Sequence, residues 1–231
     1  MRWSLNLGSI AGTAIRIHIT FLLFLLWLGT VFYQKGGAEA AWQGTIFIVL
    51  IFLCVLLHEL GHVFAARHYG VKTRDVTLWP FGGIASMERM PDKPSEELIV
   101  AVAGPAVNVA IAAMLFMWVR PHLNVETLPK IDDPSVSLTA KVLGANIVLV
   151  VFNMIPAFPM DGGRVLRALL AMRMCNVRAT EMAARIGQGF AIVFGVLGIL
   201  YNPMLLLIAA FVFLAASGEA CLLYTSPSPR D

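Results

Sequence analysis

The run from Ile51 to Gly70, IFLCVLLHELGHVFAARHYG, sets the terms for the rest of the chain. It places His58, Glu59 and His62 inside a stretch that is otherwise apolar from Thr45 to Ala66. On a helix, residues four apart lie one turn above each other on the same face. His58 and His62 can therefore offer two imidazoles to one metal ion, with Glu59 turned partly towards the same space. This is the H-E-x-x-H pattern, in which the histidines hold zinc and the glutamate serves as general base. The apolar setting sharpens the reading. An ionisable group at mid-membrane costs about 2.5–3.5 kcal/mol on insertion scales. Three such groups at ligand spacing argue for a site and against hydrogen-bonded core residues.

Of the 231 residues, 58% are hydrophobic and only 13% are charged, where an ordinary soluble domain carries about 25% charged residues. Several apolar runs approach the ~20 residues needed to cross a bilayer. The pattern predicts an all-α polytopic membrane protein, a single domain over 1–221 with about six transmembrane helices. The expected spans are roughly 19–33, 44–66, 98–119, 136–155, 186–201 and 204–220. The N-terminus lacks the short apolar segment and cleavage site of a removable signal peptide, so the first run reads as a retained span. Cys54, Cys175 and Cys221 have no metal-finger or disulfide spacing. Cys54, one turn before His58, reads as a buried free thiol.

Two stretches do not read as helix. Trp3 to Thr20 contains the alternating run Ala14-Ile15-Arg16-Ile17-His18-Ile19, which predicts two short strands at the membrane surface. Arg16 and His18 share one face there, towards headgroups and water. Val71 to Glu88 predicts a β-hairpin bent at Pro80-Phe81-Gly82-Gly83. A bare sheet edge cannot face lipid. Such an edge beside a hydrolytic centre can hold a peptide by strand addition; the other reading is a hairpin that only links two spans.

The third span contains Gly104-Pro105 and, one turn later, Asn108, which either satisfies backbone groups freed by the proline or faces the metal cavity. The fourth span breaks at Asn153, and the segment to Arg164 holds two prolines and two glycines around one acid, Asp161. Unwound backbone at that depth must line a cavity or be buried in protein. Asp161 is the natural third ligand, its other reading being a helix N-cap after Pro159. Lys and Arg gather on one side (Arg67, Lys72, Arg74, Arg164, Arg167, Arg173, Arg178) against Lys35, Arg120, Lys130 and Lys141 on the other. The positive-inside rule then puts the N-terminus and the metal-proximal side in the cytosol of a multi-pass cell-membrane protein. Residues 224–231 read as a non-native tail on a truncated end.

Taken together, His58-Glu59-Leu60-Gly61-His62, Pro80-Phe81-Gly82-Gly83, Gly104-Pro105-Ala106-Val107-Asn108 and Asn153 through Asp161-Gly162-Gly163 resemble the site-2 protease family, peptidase family M50. These are zinc-dependent intramembrane metalloproteases. The resemblance implies one zinc ion (Zn) held by His58, His62 and Asp161, with Glu59 as catalytic base. It implies substrate or oxyanion support from Asn108, Asn153 and the Phe81, Gly82, Gly83 loop. Met160 stands where the family usually has leucine, an apolar exchange. The implied partners are membrane-anchored regulatory proteins within the lipid bilayer, and no nucleic acid. Some family members carry a cytosolic pair of nucleotide-sensing CBS modules after the sixth span. Two rival readings are a divalent-metal transporter, which predicts ligands spread along several spans or repeated halves, and an inactive scaffold, which predicts a closed site of four protein ligands.

Overall fold

The computed structural model describes residues 3–89, 91, 93–119 and 137–225. Residues 120–136, between the expected third and fourth spans, and the last residues of the expected tail lie outside the described residues. The chain forms two compact units, Met1–Met90 with Ala103–Val150, and Pro91–Val102 with Val151–Asp231.

In the first unit, the expected strands form as β1 (Ser4–Ile10) and β2 (Thr13–His18), antiparallel across a turn in which Ala11 and Gly12 take φ of 50° and 80°. The expected hairpin forms as β3 (Thr73–Trp79) and β4 (Gly82–Met87). The two pairs are not separate. β2 pairs parallel with β3, making one four-stranded sheet in the order β1-β2-β3-β4. That junction corrects the expected exposure of Arg16 and His18. Arg16 Nη1 donates to Asp75 Oδ2 on β3 at 2.8 Å. The His18 ring stacks on Trp79 at 3.8 Å, and its Nδ1 accepts from the Thr20 amide to cap the next helix. A partner supplied by a distant strand replaced the headgroup each was expected to meet.

That helix, α1 (Ile19–His68), carries the first two expected spans and is broken at Gly36 and Gly37, where Gly37 has φ 71° and ψ −161°. The connection between the expected spans 19–33 and 44–66 narrows to those two residues. The halves double back on each other. A Cβ on Gly44 would lie 2.5 Å from the Phe32 ring, and Phe21 meets Phe52 at 4.4 Å between ring centroids. A straight helix would separate Phe21 and Phe52 by more than 40 Å, about 1.5 Å for each residue between them.

The remaining helices are α2 (Pro94–Val119), α3 (Leu138–Asn153), α4 (Asp161–Ala171), α5 (Asn176–Leu200) and α6 (Met204–Thr225). α1, α2 and α5 are long and apolar enough to cross a membrane; α3 and the 204–219 part of α6 are apolar but shorter. α5 begins about ten residues before the expected 186, so its first turns are polar.

In the second unit, α5 and α6 reverse at Tyr201–Pro203, where Asn202 Oδ1 accepts from the Met204 amide at 3.0 Å. The segment joining α3 to α4 is sunk into this unit. Ala157 and Met160 pack with Ala191 and Val212, and Phe158 packs with Ala183 and Ala216. Glu97, in the first turn of α2, is buried at 6% exposure and accepts from Arg167 Nε at 2.8 Å. Arg167 was expected only as one of the basic residues that set the topology. A buried acid and its neighbouring base are cheaper paired than separately desolvated, and the local sequence pattern does not record that pairing.

Candidate metal centre

Cys54, His58, His62 and Ala66 form one buried stripe on α1 at steps of four residues. The helical period thus delivers both imidazoles to the same place. His58 and His62 are 6% and 3% exposed, their rings meet edge to face, and their Nε2 atoms are 3.1 Å apart. Two nitrogens bound at about 2.0–2.1 Å to one tetrahedral ion stand ~3.3 Å apart, so the pair has the spacing zinc requires. α2 supplies the space. A Cβ on Gly104 would lie 2.2 Å from His62 Nε2 and 2.7 Å from His58 Nε2. Only a glycine leaves the volume in front of both nitrogens open. α2 can come this near because Gly61 is equally bare: a Cβ there would lie 2.8 Å from the Ala103 carbonyl oxygen.

Glu59 is half-buried and lies against β4, where a Cβ on Gly83 would sit 2.7 Å from its Cγ. Gly82 holds φ 142°, a conformation that side chains rarely adopt, and so starts β4 straight out of the turn. Phe81 at that turn is 76% exposed and stacks on Trp79. β4 is an edge strand of the sheet. The first unit therefore brings together His58, Glu59, His62, Asn108, Gly82 and Gly83. Asn108, fully buried, turns its Oδ1 to His58 Nδ1 at 2.9 Å.

Asp161 and Asn153 belong to the second unit. Asp161 opens α4 and is 9% exposed; Asn153 ends α3 and is half-buried. Two glycines fix the entry to α4. A Cβ on Gly162 would lie 2.3 Å from the Ile155 carbonyl oxygen, and one on Gly163 would lie 2.7 Å from the Ala157 carbonyl carbon. The loop thus crosses directly over the helix start, and Asp161 is held on a packed backbone.

Sequence reasoning missed two contributors, Asn146 and the bonding of Cys54, which meet in the first unit. Asn146 carries a signal of its own in the sequence, an amide inside the otherwise mostly apolar run of α3.

The model of peptidase family M50 matches residues 46–142 and 132–194. The chain is 36% identical over 222 residues to zinc metalloprotease MJ0392 of Methanocaldococcus jannaschii, covering 95% of this chain and 61% of that protein. A more distant relative, stage IV sporulation protein FB of Bacillus subtilis, is 27% identical over 172 residues, covering 74% of this chain and 56% of that protein. The chain thus spans about three fifths of the length of these curated relatives. Among solved structures, the site-2 protease from Methanocaldococcus jannaschii superposes with a TM-score of 0.66 at 35% identity, covering 94% of this chain and 95% of that one. With a family match over most of the chain and a solved relative matched nearly end to end, the chain belongs to peptidase family M50, the site-2 protease family.

Proposed function

We propose that this chain is a zinc-dependent intramembrane endopeptidase that hydrolyses peptide bonds within or near transmembrane segments of membrane-anchored regulatory proteins. The observation that carries the reading is the buried His58–His62 pair, its nitrogens at ligand spacing under the bare Cα of Gly104. In this reading His58, His62 and Asp161, all buried groups of ligating type, hold one zinc ion. Three protein ligands leave a fourth position open, as catalytic zinc sites do. The ion supplies Lewis acidity to the attacking water and to the scissile carbonyl.

The chain's own groups do the rest. Glu59 takes a proton from the water as its oxygen bonds to the carbonyl carbon, then passes that proton to the amide nitrogen as the C–N bond breaks. Asn108 acts on the site through His58, and Asn153 is the candidate donor to the oxyanion or the substrate backbone. A transmembrane substrate must unwind before attack, and its freed backbone groups need partners at that depth. β4, an edge strand beside Glu59, offers them by strand addition, with Gly82 and Gly83 keeping the approach clear and Phe81 flanking it. The six crossings, with the N-terminus and the metal-proximal side in the cytosol of the cell membrane, are part of the same proposal, supported by the basic residues that follow the His58 helix.

The test uses the purified chain in lipid nanodiscs with membrane-anchored model substrates, alongside Glu59→Gln. One zinc per chain in both proteins, with cleavage by the parent alone, is the expected result. Cleavage by Glu59→Gln at the parent rate would overturn the proposal.

A further inference from the structure

Asn108 is fully buried, as is Asn146 on α3, and the two amides meet. A buried amide can face either way unless a neighbour of fixed polarity decides. Here one does. Asn146 Nδ2 lies 2.9 Å from the Val142 carbonyl oxygen, which can only accept. The same nitrogen lies 3.3 Å from Cys54 Sγ. The Asn146 nitrogen is therefore pinned to that side, because the reversed amide would set two oxygens against each other in a dry interior.

The polarity then runs outwards without a free choice. Asn146 Oδ1 must accept, and it does so from Asn108 Nδ2 at 3.1 Å. Asn108 Oδ1 is left facing His58 Nδ1 at 2.9 Å, so that nitrogen must carry the proton. The geometry points to Asn146 as a positioning residue that fixes the tautomer of His58, through Asn108, so that Nε2 presents its lone pair to the metal before any metal arrives. Without it Asn108 is free to rotate, its amide can donate to His58 Nδ1, and the imidazole proton moves to Nε2, the atom that must ligate.

The inference rests on the zinc reading of the site, and the experiment separates the two. The full chain, metal-free and labelled with 15N-histidine, is examined by solid-state NMR. The His58 signals are assigned by difference from His58→Gln. Zinc affinity is measured in parallel by competition with a chromogenic chelator. The parent should show a protonated Nδ1 and an unprotonated Nε2 on neutral His58. Asn146→Leu, close in volume, should show a mixture of tautomers and bind zinc about 10–100-fold more weakly, the loss typical of removing an outer partner of a metal-bound histidine. A parent His58 protonated on Nε2 would overturn the inference with no mutant needed, as would Asn146→Leu with the parent tautomer and affinity. A parent with the expected tautomer that binds no zinc would instead sink the proposed function and leave the polarity relay standing.

Discussion

Replacing Gly104 by alanine adds one methyl group to α2, and the structure says where it must go. The new Cβ would stand 2.2 Å from His62 Nε2 and 2.7 Å from His58 Nε2. Two effects oppose each other. Alanine is preferred to glycine inside a helix by about 0.8–1.0 kcal/mol, whereas overpacking a buried contact costs about 1–3 kcal/mol. The metal-free chain should therefore change in stability by no more than about 2 kcal/mol. The metal centre has no such offset. Ordinary van der Waals contact begins near 3.4 Å, so the His62 ring must retreat by about 1.2 Å, a displacement that costs about 100-fold at a catalytic centre. At 3% exposure it has no open side to retreat into. Zinc affinity by chelator competition, cleavage of a membrane-anchored substrate and denaturant unfolding of the metal-free chain together read the outcome. We expect cleavage reduced about 100-fold and zinc held more weakly, with the fold retained. A Gly104→Ala protein with the parent's zinc affinity would refute the claim that this space belongs to the metal.

Glu59→Gln should retain stoichiometric zinc while the cleavage rate falls by at least about 100-fold, as expected for loss of a general base; metal analysis beside the rate separates the two. Gly83→Val should lower turnover by at least about 10-fold with zinc retained, because its side chain would displace Glu59 and crowd the strand edge, a misplacement of the kind that costs up to about 100-fold. Arg167→Met leaves the buried Glu97 carboxylate unpaired and should destabilise the chain by roughly 3 kcal/mol. Glu97→Leu with Arg167→Met should recover most of that loss in denaturant titration.

The ligand pattern was legible because it is local: His58 and His62 are four residues apart, and the helical period alone brings them to one face. The strand pairs were legible for a similar reason, since alternation at 14–19 and 73–79 needs no partner to be seen. What escaped depends on residues far apart in the chain. Nothing in the alternation of β2 says that it will lie parallel to β3, so Arg16 looked like a headgroup contact until Asp75 arrived beside it. Arg167 looked like a topology charge for the same reason, and Asn146 was passed over inside a span whose other residues are mostly apolar. The doubling of α1 was partly legible. Gly36 and Gly37 signal a break, but only packing, Phe32 over Gly44, shows that the halves return on each other.

The ligand set of the bound ion tests the central claim most directly. X-ray absorption on the zinc-loaded chain, compared with Asp161→Ala, reads the atoms around the metal. The account predicts two imidazole nitrogens and one carboxylate oxygen at about 2.0–2.2 Å from zinc in the parent, with the carboxylate lost and the imidazoles kept in the variant. An unchanged spectrum in Asp161→Ala, or a parent ion bound without imidazole, would contradict it.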